Sequence, residues 1–149
     1  VSWTQPILKH KDYGLIGFLT QEKNGVLHFL VCARMSPGTV GAIEIGPTVA
    51  CSEASNKAKS KDAPFFLELF LSIPKEQICY DTIQSEEGGR FYHFQNRYMI
   101  IEISPDSPLE FSNEFKWMTL GQILELVKHG YFNIEARNFL SCLSLVKKN

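Results

Sequence analysis

Apolar residues fall in short blocks through the first two-thirds of the chain and switch to helical spacing in the last third. Gly14 to Thr20 is a run rich in Leu, Ile and Phe, closed by the polar stretch Gln21 to Asn24. Asn24-Gly25 predicts a type I′ hairpin, whose two central residues both need positive φ. Val26 to Met35 is apolar nearly throughout and reads as a strand covered on both faces. Ser36-Pro37-Gly38 ends it with turn chemistry. Val40 to Ile45 and Thr48 to Cys51 continue as extended segments, interrupted by Gly46-Pro47. Phe65 to Ser72 fits either a helical turn or a strand. Ile78 to Ile83 and Arg97 to Ile103 read as strands, the second with Met99, Ile101 and Ile103 on one face.

The C-terminal third is helical. Thr119-Leu120-Gly121-Gln122 fits a capping box, with Leu120, Ile123, Leu124 and Val127 following at helical spacing and Gly130 as the stop. Asn133 is placed to cap a second helix with Ala136, Leu140 and Leu143 on one stripe. The expected architecture is a single α+β domain over residues 1–149, a mixed or antiparallel sheet followed by C-terminal helices.

Bulk properties narrow the function classes. The 149 residues are 44% hydrophobic and 21% charged, with a formal net charge of -1, so no global positive field gathers nucleic acid. No apolar stretch is long enough to span a bilayer and no secretory leader opens the chain, which makes the cytoplasm the expected location. Cys32, Cys51, Cys79 and Cys142 lack zinc-type spacing and read as reduced, mostly buried thiols. His28, inside an apolar block, reads as a hydrogen-bonded core histidine, and His129 as a helix-end residue. Ser52 to Asp62, with Lys57, Lys59 and Lys61 alternating, reads as a solvated loop or as a lid over a bound anion.

Three groups of segments resemble the NDP-hexose 2,3-dehydratase family. They are Gly14-Leu-Ile-Gly-Phe18 with Gly25-Val-Leu-His-Phe-Leu30 and Ala33-Arg-Met-Ser-Pro-Gly38; Gly46-Pro-Thr-Val49; and Ser85-Glu-Glu-Gly-Gly-Arg-Phe-Tyr-His93. The third group continues through Asn96-Arg97, Ile101-Glu102, Trp117-Met-Thr-Leu120, Glu135-Ala-Arg137 and Leu140-Ser-Cys-Leu143. The resemblance implies a Nudix-like fold, of which this chain holds one of two related repeats. It also implies a thymidine-diphosphate 4-keto-6-deoxyhexose as ligand and loss of water across its carbons 2 and 3, with no metal or redox cofactor. A homodimer would restore two repeats. The Arg-Glu-x-x-Glu-Glu run of Nudix hydrolases is absent, so diphosphate hydrolysis is not expected. After Pro-Thr-Val the family typically continues Gln-Ala-Thr-Arg-Ser-Asn-Tyr. Here those places hold Ala50, Cys51, Ser52, Glu53, Ala54, Ser55 and Asn56, with an acid where the arginine should be.

Elimination beside a ketone needs a base, an acid for the departing hydroxyl, and donors for the enolate oxygen. Ser85 to Arg97 supplies most of these parts. Gly88 and Gly89 allow close backbone approach, and Arg90 and Arg97 can each offer a bidentate fork to phosphate. Tyr92, His93 and Glu86 are the acid–base candidates, although Glu86 with Glu87 reads first as a solvated loop pair rather than a catalytic dyad. Arg34, Thr48, Ser52 and Asn96 complete the substrate-binding candidates, Arg34 either at the mouth or in a surface ion pair. In an extended segment Arg90 and Tyr92 share one face, which is assigned to the cavity, with Phe91 in the core. Three functions stay open: a binding-capable domain, an active lyase, and a scaffold that reuses the fold.

Overall fold

Strand β1 (Gly14–Lys23) is buried over its first eight residues, with strands along both edges and helices packed against both faces. The computed structural model describes residues 4–35, 41–54, 58–86 and 89–143. The expected turn at Ser36-Pro37-Gly38 lies outside those residues. Among them, β1, β2 (Val26–Arg34), β3 (Glu44–Gly46), β4 (Val49–Cys51), β5 (Ile78–Ser85), β6 (Gln95–Ile103) and β7 (Phe115–Thr119) form one mixed sheet. Its main order is β3-β2-β1-β6-β5, with β4 also on β1 and β7 also on β2. β1 runs parallel to β6 and antiparallel to β2 and β4. The hairpin forms as expected, with Asn24 at φ 53° and Gly25 at φ 74°.

Alternation along the central strands divides the core into two faces. Leu15, Leu19, Leu30, Met99 and Ile101 pack with Leu67 and Phe70 of helix α1 (Leu67–Ser72). Thus the ambiguous Phe65 to Ser72 block resolves as a short helix. Gly17 makes this contact possible, since a Cβ there would lie 2.3 Å from a Phe70 ring carbon. Ile16, Phe18, Phe29, Val31 and Ile100 face the other way, under α2 (Leu120–Lys128) and α3 (Ile134–Leu143).

Both predicted helix starts are present. The Gln122 amide N–H donates to Thr119 Oγ1 at 3.3 Å and the Thr119 N–H to Gln122 Oε1 at 2.9 Å. Asn133 Oδ1 accepts from the Ala136 N–H at 3.0 Å. The inner stripe of α2 differs from expectation: Ile123 is buried with Leu126 and Val127 beside it, while Leu120 and Leu124 are exposed. β2 is covered on both faces only around Phe29–Cys32, since Val26 and Leu27 flank the exposed hairpin tip. His28 is half-buried, with Nδ1 2.9 Å from the Val26 carbonyl oxygen. Of the thiols only Cys32 is buried, and Cys79 on the edge strand is exposed. Ala54 is also buried, its N–H donating to the Tyr13 carbonyl at 3.0 Å, so the start of the Ser52–Asp62 stretch is anchored rather than solvated.

The sheet divides at one point. β1 pairs with β2 from Lys23 back to Leu19, then with β4 from Gly17 to Leu15. At the fork, the buried Thr48 hydroxyl accepts from the Leu19 N–H at 2.8 Å and donates to the Leu30 carbonyl. Thr48→Val keeps the shape but strands both backbone groups, and should cost about 1–3 kcal/mol of stability in urea unfolding. A change within experimental error would show that neither group depends on the hydroxyl.

Candidate functional site

Past the fork, β4 leads Ala50, Cys51 and Ser52 along one wall of a cleft of about 430 Å³. Its floor is Ile16, Asn96 and Tyr98 on the α2–α3 side of the sheet. Ile134, Glu135 and Asn138 of α3 form the opposite wall, and Glu86, Phe91 and Phe94 close it from the β5–β6 connection.

The polar centre of the cleft is a three-residue cluster. Tyr98 donates its hydroxyl proton to Glu86 Oε1, and Asn96 Nδ2 donates to the same oxygen at 2.8 Å. Both bonds converge on Oε1. Gly14, paired with Asn96 across the parallel ladder, makes room for it: a Cβ there would fall 1.9 Å from Asn96 Oδ1. The Tyr98 phenol is held well above its ordinary range, first by burial and then by its hydrogen bond to Glu86. It therefore stays protonated and serves as a donor at neutral pH.

The sequence-derived candidates separate on this geometry. Glu86, Asn96 and Ser52 line the cleft together. Thr48 does not, because its hydroxyl is committed to the sheet fork. Arg97 points to the opposite face of β6 and grips Asp81, with Nε 2.7 Å from Oδ1 and Nη2 2.6 Å from Oδ2. That hydrogen bond holds the Asp81 carboxyl below its usual range. Arg34 runs beneath the chain at Gly46, and its Nη2 donates to the Pro47 and Thr48 carbonyls at 3.3 and 3.2 Å. It borders a separate hollow with Cys32, Phe65 and Glu114.

The assignment of residues 90–93 is reversed. Phe91 lines the cleft, whereas Arg90 and Tyr92 are exposed and do not. The cause is a backbone pairing: the Leu8 N–H donates to the Arg90 carbonyl and the Tyr92 N–H to the Leu8 carbonyl, both at 2.8 Å. This turns the odd-numbered side chain inward. His93 borders a neighbouring hollow with His10 and Lys11. Gly89 is exposed at φ 75°, and Gly88 lies outside the described residues. Tyr98 was not singled out from sequence. Its signal was a phenol inside an apolar strand, which must find a partner for its hydroxyl. Among the described residues, no helix is long and apolar enough to cross a membrane.

With a proton held above the free-phenol range, Tyr98 contributes stability that is complete below the unfolded phenol value near 10 and falls as pH rises through the folded one. Tyr98→Phe should flatten the alkaline limb of a stability–pH profile measured by chemical denaturation. An unchanged slope would mean that the phenol titrates freely.

Comparison with known proteins bears on the same residues. Residues 1–143 match the family described as NDP-hexose 2,3-dehydratase. The chain is 45% identical over 144 residues to a dTDP-4-dehydro-6-deoxy-alpha-D-glucopyranose 2,3-dehydratase of Saccharopolyspora spinosa, covering 95% of this chain and 30% of the relative. A protein of the same description from Streptomyces violaceoruber is 38% identical, over 95% of this chain and 32% of its own length. This chain thus spans about a third of these relatives. Among solved structures, a Nudix hydrolase of M. smegmatis, RenU, superposes with TM-score 0.53 at 13% identity, covering 91% of this chain and 85% of the other. The T. brucei MERS1–GDP complex gives TM-score 0.54 at 12% identity, over 80% and 53%. The fold is therefore α+β and Nudix-like, as the family resemblance implied.

Proposed function

As the chain belongs to the NDP-hexose 2,3-dehydratase family, we propose that this domain handles a thymidine-diphosphate 4-keto-6-deoxyhexose and that Glu86 is the base that begins its dehydration. The observation that carries this reading is the convergence of Tyr98 and Asn96 on Glu86 Oε1 inside the cleft. Two donors fix the carboxylate's orientation and leave Oε2 for the ligand.

The 4-keto group acidifies the proton on carbon 3. Glu86 takes that proton, the electron pair passes into an enolate on the keto oxygen, and its collapse breaks the bond from carbon 2 to its hydroxyl. One proton and one hydroxide leave, together a molecule of water. Asn138 and Ser52, on facing walls, are suited to donate to the enolate oxygen. Tyr98 positions Glu86. Arg90 and Arg97 have no part in this step.

A second reading, recognition without turnover, is favoured by one feature. Ala50, Cys51 and Ser52 occupy a cleft wall where the family pattern has Gln-Ala-Thr. The same cleft then binds the nucleotide sugar while a further domain completes the reaction. In either case the work belongs to deoxysugar synthesis in the cytoplasm, and a homodimer would juxtapose two such domains.

Incubation with dTDP-4-keto-6-deoxyglucose separates the readings. If the domain turns over, Glu86→Gln should lower kcat by about 100-fold or more with little change in KM. A ligand-induced rise in Tm without product would select recognition alone. Neither a Tm shift nor product would sink both. For the dimer, sedimentation at micromolar concentration should give twice the chain mass, and a clean monomer would exclude it.

A further inference from the structure

The elimination written above leaves one proton without a source. Hydroxide is a poor leaving group at neutral pH, so its departure from carbon 2 calls for an acid. Among the described residues lining the cleft, Glu86 and Glu135 carry the only charged side chains, and Tyr98 and Cys51 are the other titratable ones. Glu86 enters from the β5–β6 connection and Glu135 from the first turn of α3. Two carboxyl groups thus border one cleft from different walls.

Their surroundings are unequal. Glu86 Oε1 accepts from the Tyr98 hydroxyl and from Asn96 Nδ2, the latter at 2.8 Å. Among the described residues, Glu135 has no hydrogen bond or ion pair. Arg137, two residues along α3, directs its Nε to the Asn133 carbonyl at 3.4 Å and does not line the cleft. The two acids nevertheless act on one group. Burial and the bond to Glu86 hold the Tyr98 phenol high, and the charges of Glu86, Cys142 and Glu135 add to this.

Water in the open cleft screens one carboxylate from the other. A hexose that fills the space displaces this water, and two like charges in it then become costly. One acid takes up a proton, and the count of donors decides which, because hydrogen bonds to a carboxylate favour its ionised form. Glu86, with two donors, stays ionised and keeps the part of base. Glu135, with none, holds the proton. The N-terminal end of α3 favours an anion at Glu135 more weakly than two hydrogen bonds do at Glu86. It does stabilise the carboxylate left behind once the proton has gone.

Resting on the functional reading above, we propose that Glu135 is the acid that protonates the departing hydroxyl of carbon 2. Glu86 removes the proton on carbon 3, and the electron pair enters the enolate. As the enolate collapses, the ketone re-forms on carbon 4 and carbons 2 and 3 become doubly bonded. The bond from carbon 2 to oxygen breaks with its pair on the oxygen, which takes the Glu135 proton and leaves as water. Glu86 ends protonated and Glu135 ionised, and exchange with solvent restores both.

Two probes in deuterium oxide test this: dTDP-4-keto-6-deoxyglucose, and its 2-deoxy-2-fluoro analogue, whose fluoride departs without a proton. Glu135→Gln should slow loss of water by about 100-fold. Exchange of the carbon 3 proton for deuterium and release of fluoride should continue at the rates of the unaltered domain, which also shows that the variant is folded. Glu86→Gln should stop all three. Undiminished loss of water by Glu135→Gln would overturn the proposal, as would an equal fall in exchange and fluoride release. Exchange without loss of water in the unaltered domain would remove the acid and leave Glu86 as base. Neither exchange nor product from the unaltered domain would overturn the functional reading itself.

Discussion

The arrangement of this domain depends on one hydroxyl group at a fork in its sheet. Where β1 exchanges β2 for β4, a buried N–H and a buried carbonyl would lose their ladder partners. Such groups are costly to strand away from water. Thr48 satisfies both. Because the divergence is stabilised there, β4 can depart from β2 and carry Ala50–Ser52 to the cleft wall. Thr48, a ligand-contact candidate by sequence, instead holds the fork from which the cleft wall departs.

Downstream of that fork, side-chain alternation decides what the cleft can contain. On β6 the even-numbered residues Asn96 and Tyr98 face α3, and the odd-numbered Arg97 faces away. In the 90–93 turn, pairing with Leu8 reverses the expected sense and brings Phe91 inward. Both arginines of the resemblance motif are thereby kept from the cleft, which acquires an acidic and amide character. Gly14 has a quiet part in this. Its missing side chain is the space that Asn96 occupies, so a glycine on one strand sets the orientation of a carboxylate reached from another.

How much of this was legible depended on how local each signal was. The Asn24-Gly25 hairpin, the Thr119–Gln122 capping box and the Asn133 cap are written in neighbouring residues, and all three are present. Family membership and the Nudix-like fold were also readable, because ordered motifs run along nearly the whole chain. The interior of the site was less so. Periodicity showed that β6 has two faces, but only the packing of α3 on one of them makes that face a cleft. The pairing of Leu8 with residues 90–92 joins segments far apart in sequence and has no local signature. Phe65 to Ser72 was ambiguous for a similar reason: its helical state is fixed by Phe70 seating over Gly17.

The parallel pairing of β1 with β6 has a consequence for how the chain is made. Thr20 and its hydrogen-bond partner Ile101 are 81 residues apart. During synthesis β1 can close its hairpin with β2 early, yet its other edge must wait until the chain through Ile103 has left the ribosome. Over that interval one of the most apolar segments of the protein presents an open strand edge, the usual template for wrong pairing. Expression of this domain in isolation will therefore be governed by how quickly β6 arrives, and slowing translation between β2 and β6 lengthens the period of exposure.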